Sequence, residues 1–227
     1  MSKAIFLVGG GKGGVGKSLM SMALLDFLQA GGGEPFLVET DTSVPDVFKA
    51  YQEEIAGELV NLDEREGWIE LVNLVESRAE STIVINTGAR NQTGVSNFGR
   101  TLSKALGELG RKLVVLWMID RKRESLELLS DFMTAIPEAE VHVVRNLYLG
   151  AEKKFELYNG SKMRSGIEGK GRRSINLPEL ADRVTDAMNK GRMTIAKATG
   201  ELSLGDRMEL ERWREECAAM LSQVADG

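Results

Sequence analysis

The chain has 227 residues and a net charge of −5, with 42% apolar and 28% charged residues, which is typical of an ordinary globular protein. The acidic balance argues against a surface wholly committed to nucleic acid, although it leaves room for a local basic patch. A single cysteine, Cys217, excludes an internal disulfide and any two-cysteine metal or redox motif, and a single histidine, His142, excludes multi-histidine metal sites.

No linker-like segment divides the chain, so we predict one domain over residues 1–227, with 174–227 forming C-terminal helices packed on it. The longest apolar run, LVVLWMI at 113–119, is far shorter than the roughly 18 residues of a membrane-spanning helix. The N-terminus MSKAIFLVGG lacks a signal-peptide layout. We therefore expect a cytoplasmic protein with no membrane partner.

Short apolar runs alternate with helical patterns along the first 146 residues. The runs are AIFLV (4–8), PFLVE (35–39), STIVIN (81–86), KLVVLWMID (112–120) and EVHVVRN (140–146). Continuous apolar strands separated by helices predict an α/β fold, in which a doubly wound, mainly parallel sheet carries helices on both faces. Ligands of such sheets bind at the carboxyl ends of the strands. The candidate functional residues are therefore the glycine loop after residue 8, Glu39 to Asp41, Asn86 to Arg90, Asp120 and Asn146. His142 lies inside a run, and we expect it to be a strand residue without a chemical role.

The segment after the first run satisfies the phosphate-loop pattern Gly11-x4-Gly16-Lys17-Ser18, between a predicted strand and the helical pattern of 18–30. Glycines allow several backbone N–H groups to point at one anion, and the N-terminus of a helix adds partial positive charge. Lys17 is expected to reach the β- and γ-phosphates, and the Ser18 hydroxyl to bind Mg²⁺. The predicted nucleotide contacts in this loop are Gly11, Lys12, Gly13, Gly14, Val15, Gly16, Lys17, Ser18 and Leu19.

A second lysine, Lys12, precedes the usual one in KGGVGKS. The loop resembles the deviant phosphate loop of the ParA, MinD and related ATPases, whose early lysine reaches the partner subunit's phosphates in a nucleotide-sandwich dimer. The resemblance implies ATP and ADP as ligands, Mg²⁺ as cofactor, a nucleotide-dependent homodimer and a catalytic role for Lys12 in trans. The alternative is a solvated loop lysine. Leu19 after Ser18, and TGA at 87–89, resemble the plasmid TraL and StbC branch of that family.

In that family the second strand ends Asp-x-Asp, and the second acid acts near the attacking water and Mg²⁺. Here VETD offers Asp41 for this water-positioning and metal role, with Glu39 as its partner. Asp41 could equally cap a turn before SVPDVFKAY, in which Ser43 is a plausible helix cap.

The strand TIVIN should, by the same resemblance, end with an acid that holds Mg²⁺ through water. Asn86 stands at that position, and it can accept a hydrogen bond but brings no negative charge. We expect weakened Mg²⁺ binding or hydrolysis, and faster turnover if Asn86 is replaced by aspartate. Gly88 is the candidate glycine that senses the γ-phosphate, and Asn146 is the candidate amide for the nucleotide base, with an ordinary turn residue as its alternative.

Residues 153–173 carry seven lysines and arginines against two glutamates. This mobile basic stretch could bind DNA phosphates without reading sequence, as partition ATPases bind the nucleoid; a solvated loop or a surface for an acidic protein is the alternative. The last helical pattern has Leu210, Trp213, Cys217, Leu221 and Val224 at helical spacing. Because residues 206–226 hold six acids and three arginines, we expect this stripe to pack on the sheet rather than on a membrane.

The sequence therefore predicts a Mg²⁺-dependent, weakly hydrolysing ATPase switch that serves plasmid or other mobile DNA and responds to an activating protein partner. Two alternatives stay open: a metabolic ATP-dependent ligase or kinase resembling dethiobiotin synthetase, and a nucleotide-gated adaptor that does not hydrolyse ATP.

Overall fold

The computed structural model describes residues 4–89 and 92–225, which form a seven-stranded sheet with helices on both faces. All neighbouring strands pair in parallel, in the order β3-β2-β4-β1-β5-β6-β7. The strands are β1 (Ile5–Gly9), β2 (Phe36–Glu39), β3 (Gly57–Leu59), β4 (Ile83–Asn86), β5 (Leu113–Ile119), β6 (Glu140–Asn146) and β7 (Ser174–Leu177). The predicted doubly wound α/β fold is confirmed.

Helices cover the sheet in two layers. One layer contains α1 (Lys17–Ala30), α2 (Asp46–Tyr51), α8 (Asp182–Gly191), α9 (Ile195–Glu201) and α10 (Leu204–Ala225). The other contains α3 (Arg65–Ser77), α4 (Gln92–Glu108), α5 (Arg123–Ala135), α6 (Glu156–Asn159) and α7 (Lys162–Glu168).

The central strands are buried on both faces, which explains their continuous apolar sequences. In β1, Phe6 and Val8 face the α1 layer, whereas Ile5 and Leu7 face the α3 layer. Alternate side chains of a strand point to opposite faces, so a strand between two helical layers must be apolar at every position.

The apolar stripe of α10 packs into the core, as predicted. Trp213 is fully buried and its indole Nε1 donates a hydrogen bond to the carbonyl of Pro178 at 2.9 Å. Cys217 is buried on the same stripe, and burial raises the pKa of its thiol. In the described part of the chain, no helix combines the length and the apolar character needed to cross a bilayer.

Three expectations differ from the structure, and one strand was not predicted. Residues 174–177 form strand β7 rather than part of a helical region, and β3 was not predicted; both are short edge strands, so neither carries a continuous apolar run. Ser43 does not cap α2, because Pro45 occupies the N-cap position. Residues 153–173 are not a mobile loop but hold the ordered helices α6 and α7. Arg90 lies outside the described residues.

Candidate functional site

The carboxyl ends of the strands surround a cavity of about 560 Å³. Its walls come from the loop after β1, the start of α1, the ends of β2, β4 and β6, helix α2, and the segment from the end of β7 through α8. The cavity is large enough for a small-molecule ligand and lies where open α/β sheets bind theirs.

The loop between β1 and α1 has the backbone shape that its glycines predict. Gly14 and Gly16 adopt φ values of 77° and 101°, a region that strains residues with a Cβ atom. A Cβ atom on Gly16 would also lie 2.4 Å from Nδ2 of Asn146. Gly16 is the N-cap of α1, so the loop ends at a helix N-terminus that faces the cavity.

Lys17 is the first residue of α1 and only 8% exposed. Its Nζ donates a hydrogen bond to the carbonyl of Lys12 at 2.7 Å, which bends the side chain back over the loop. Burial lowers the pKa of Lys17, against the opposing effect of the nearby carboxylates of Asp41 and Glu39. A buried cation inside a glycine loop is a ready partner for an anion.

Lys12 points away from the cavity. Its Nζ lies 2.6 Å from Oε2 of Glu124 and 3.5 Å from Oδ2 of Asp120, at the start of α5. The hydrogen bond to Glu124 raises the pKa of Lys12 above its ordinary value. In this structure the second lysine is therefore held by two acids of its own chain.

The two acids that end β2 have different surroundings. The Asp41 side chain lines the cavity, and its Oδ1 accepts a hydrogen bond from the N–H of Val44 at 3.0 Å. The predicted turn-capping contact of Asp41 is thus present at the cavity wall. Glu39 is fully buried, and burial raises the pKa of its carboxyl to about 7.

Asn86, at the end of β4, lies against Glu39. Its Nδ2 is 3.0 Å from Oε1 and 2.9 Å from Oε2 of Glu39, while its Oδ1 accepts a hydrogen bond from Ser21 Oγ at 2.8 Å. Asn86 is 3% exposed and lines the cavity, next to Thr87. Nothing in the spacing of the sequence pointed to Ser21, which lies on α1.

Gly88 follows β4 on a loop tied to the end of β2. The N–H of Gly88 donates to Thr40 Oγ1 at 3.1 Å, and Thr40 in turn donates from its hydroxyl and its N–H to the carbonyl of Asn86 at 3.1 and 3.0 Å. The loop ends of β2 and β4 are therefore coupled, and in this structure the Gly88 N–H is directed to Thr40.

Asn146 ends β6 and reaches the glycine loop. Its Nδ2 donates to the carbonyl of Val15 at 3.1 Å, and its Oδ1 accepts from the N–H of Tyr148 at 3.1 Å. The side chain is buried at the cavity wall. Its amide thus holds the loop in place; the base contact suggested from the sequence stays a prediction.

The segment after β7 supplies a wall that the sequence did not predict. Pro178 and Leu180 line the cavity, followed by one side of α8 and by Arg192. Arg192 has a φ of 47°, which is unusual for a residue with a side chain, and it lines the cavity just after the end of α8. The sequence predicted only helices over 174–227, so this wall was not predicted, because the turn after β7 positions it.

These side chains fit a nucleotide with Mg²⁺. Magnesium in nucleotide sites takes one or two protein oxygens together with phosphate oxygens and water. The Ser18 hydroxyl and the Asp41 carboxylate line the same cavity as Lys17, so a cation, a hydroxyl and a carboxylate converge beside the helix N-terminus.

The chain is similar to a known protein in sequence and to solved structures in fold. Protein MobD of Acidithiobacillus ferrooxidans is 56% identical over 224 residues, which cover 99% of each chain. Two solved structures share the fold at 12% identity. The MinC:MinD cell division complex of Aquifex aeolicus has a TM-score of 0.55 and 96% coverage of each chain. A nucleotide-binding protein of Archaeoglobus fulgidus in complex with ADP has a TM-score of 0.52, with 85% of this chain and 88% of that chain covered. No family model matches the chain.

Proposed function

The chain belongs to the family of MobD, and we propose that it is a Mg²⁺-dependent ATP switch that dimerises on ATP, hydrolyses it slowly and serves the mobilisation of DNA. The name MobD suggests mobilisation, and that role is carried to this chain as part of the proposal. The MinD-like fold supports a nucleotide-binding switch.

The observation that carries the proposal is the cavity at the strand ends with Lys17 buried in its glycine loop. The positive φ values of Gly14 and Gly16 turn the loop toward the helix N-terminus. Backbone N–H groups, the N-terminal end of α1 and Lys17 together would bind the phosphates. Bound Mg²⁺ would neutralise phosphate charge, and Ser18 and Asp41 are the residues that would hold it.

Dimerisation is proposed from Lys12. Lys17 already serves the phosphates of its own subunit, so a second loop lysine is explained by a task performed on a partner's nucleotide. In this structure Lys12 is bound to Glu124 and Asp120, and the proposal requires that it leave them when two subunits meet. ATP would favour that exchange more than ADP, since the γ-phosphate adds negative charge at the site.

DNA is proposed as a partner of a basic surface around Lys154 and Arg121. A Cβ atom on Gly150 would lie 3.2 Å from Lys154 Cδ and 3.7 Å from Arg121 Nη1, so these two side chains lie side by side. Lys122 and Arg123 are exposed next to Arg121, and Lys153 is exposed next to Lys154. Lys153 and Lys154, at the start of segment 153–173, therefore lie next to residues 121–123, which supports contact with phosphates.

The DNA proposal is tested by the salt dependence of binding. Each lost phosphate contact lowers the slope of log K against log salt by about 0.9. Replacing Lys153, Lys154 and Arg121 by alanine should flatten the slope, whereas replacing the exposed Lys104 and Lys190 elsewhere on the protein should not. Parent protein that binds no DNA in any nucleotide state would refute this part of the proposal.

A protein partner that triggers nucleotide release is also part of the proposal. One solved neighbour is a complex of MinD with MinC, so this fold engages a second protein in that case. Pull-downs in ATP and in ADP would identify a partner retained in only one state. Recovery of the same proteins in both states would argue against nucleotide-controlled engagement.

The central experiment for the nucleotide site is calorimetric titration with ATP and ADP, with and without Mg²⁺, followed by measurement of phosphate release. The proposal predicts binding of both nucleotides and slow turnover of ATP. Failure of both to bind would refute it. Retention of intact ATP after long incubation would identify the adaptor that does not hydrolyse ATP.

A further inference from the structure

Three buried polar side chains form a chain of hydrogen bonds at the cavity wall, and of these Asn86 lines the cavity. Ser21 on α1, Asn86 on β4 and Glu39 on β2 are 0%, 3% and 0% exposed. Ser21 bonds to Asn86 at 2.8 Å, and Asn86 bonds to both carboxyl oxygens of Glu39 at 3.0 and 2.9 Å. Buried polar networks of this kind require every member to be satisfied.

The chemistry of the three groups sets the direction of each bond. The NH₂ group of Asn86 faces Glu39, where both carboxyl oxygens accept from it. The carbonyl oxygen of Asn86 then faces Ser21, which lies one helical turn after Ser18 on α1. The acceptor atom of Asn86 is therefore directed toward the side of the phosphate loop, where it retains a second lone pair.

The end of β2 supplies the carboxyl group, whereas the end of β4 supplies the side chain that reaches the cavity. Asn86 lines the cavity, whereas Glu39 lies behind it, and the N–H of Asp41 donates to Glu39 Oε1 at 2.9 Å. A carboxyl group, which position 86 lacks, is thus present one layer deeper, in direct contact with the amide. Glu39 also lies close enough to Lys17 to interact with its charge.

We propose that Glu39 and Asn86 act together as one divided metal-site acid, in which Asn86 presents the acceptor oxygen to a water on Mg²⁺ and Glu39 supplies the carboxyl group that fixes the amide. Glu39 is a positioning residue, because it acts through Asn86. The inference rests on the proposed nucleotide function and deepens it. It also reverses the sequence-based expectation for Asn86→Asp, since an aspartate there would place two carboxylates within about 3 Å of each other, where both cannot easily ionise.

The test uses four proteins: the parent, Glu39→Gln, Asn86→Asp and the exchanged double variant Glu39→Gln/Asn86→Asp. The readout is the gain in ADP affinity that Mg²⁺ produces, measured by calorimetry without turnover. Loss of a residue that orients a metal ligand typically costs roughly 10- to 100-fold in metal affinity. Glu39→Gln should lose Mg²⁺ affinity by about that factor, Asn86→Asp should also be impaired, and the exchanged variant should regain most of the loss.

Denaturant unfolding of the nucleotide-free proteins supplies a second readout. Two positions in direct contact should couple, so the exchanged variant should be more stable than the sum of the two single changes predicts. If Asn86→Asp alone does not fold, the exchanged variant should still fold, since it retains one acid and one amide. Glu58→Gln, at an exposed acid on edge strand β3, is the control and should change neither readout.

The outcomes separate the inference from the function on which it rests. A parent protein that binds no ADP would refute the proposed function and the inference together. Suppose instead that Mg²⁺ raises the ADP affinity of the parent. Additive effects of the two single changes on unfolding free energy, or full Mg²⁺ affinity in Glu39→Gln, would then refute only the divided acid. Recovery of Mg²⁺ affinity in the exchanged variant supports it.

Discussion

Replacing Lys17 by alanine should remove most ATP affinity and leave the fold intact. A hydrogen bond to a charged group contributes about 1.5–3 kcal/mol, so loss of the ammonium should weaken ATP binding by roughly 10- to 150-fold. The fold should tolerate the change because burial lowers the pKa of Lys17, which means that keeping it charged already opposes folding. Its loss also removes the 2.7 Å bond to the Lys12 carbonyl, and these two effects oppose each other.

The assay is calorimetric titration of ATP with Mg²⁺ into the parent and Lys17→Ala, together with denaturant unfolding of both without nucleotide. Lys12→Ala is the matched control, since it removes a lysine from the same loop that points to Glu124 rather than into the cavity. Unchanged ATP affinity in a folded Lys17→Ala protein would refute the assignment of the phosphate site. A large loss of ATP affinity in Lys12→Ala would show that both lysines serve their own subunit.

Two further predictions concern stability. Gly16→Ala should destabilise the protein by at least about 1 kcal/mol, because φ is 101° and the new methyl group would meet Asn146. Gly205→Ala, at an open position in α10, should instead stabilise the protein. Equal unfolding curves for the two variants would contradict the loop geometry. Burial lowers the pKa of His142, whose Nδ1 accepts a hydrogen bond from the N–H of Arg173, so the folded state favours the neutral ring. The stability that neutral His142 contributes is therefore lost as pH falls below about 6.5, where the ring is protonated in the unfolded chain. Thermal unfolding between pH 8 and 5 should therefore decline less in His142→Gln than in the parent, and parallel declines would refute the assignment.

The sequence predicted the central strands because β1, β2, β4, β5 and β6 are buried between two helical layers and must be continuously apolar. The sequence did not predict strand β7, because only Ile175 and Leu177 are buried in it and it has no continuous apolar run. The cavity wall formed by Leu180 and Arg192 was missed with it, since that wall depends on where the chain leaves β7.

Within the site, the phosphate loop was predictable because its residues are contiguous and each has a local backbone or charge role. The contacts of Asn86 were not, since its partners Ser21 and Glu39 come from two other elements and lie 65 and 47 residues away in the chain. In the sequence, Asn86 indicated a metal site that lacks a carboxyl group, whereas the fold places the Glu39 carboxyl group beside it. The cis contact of Lys12 with Glu124 likewise depends on the approach of α5 to the loop.

The measurement that tests the account most directly is light scattering of the parent and Lys12→Ala with ATP, with a slowly hydrolysed ATP analogue and with ADP. The parent should dimerise with ATP or the analogue and not with ADP. Lys12→Ala should bind ATP as a monomer and lose dimerisation and hydrolysis together. A Lys12→Ala protein that dimerises and turns over ATP like the parent would contradict the role of Lys12 in trans and leave an ordinary phosphate loop.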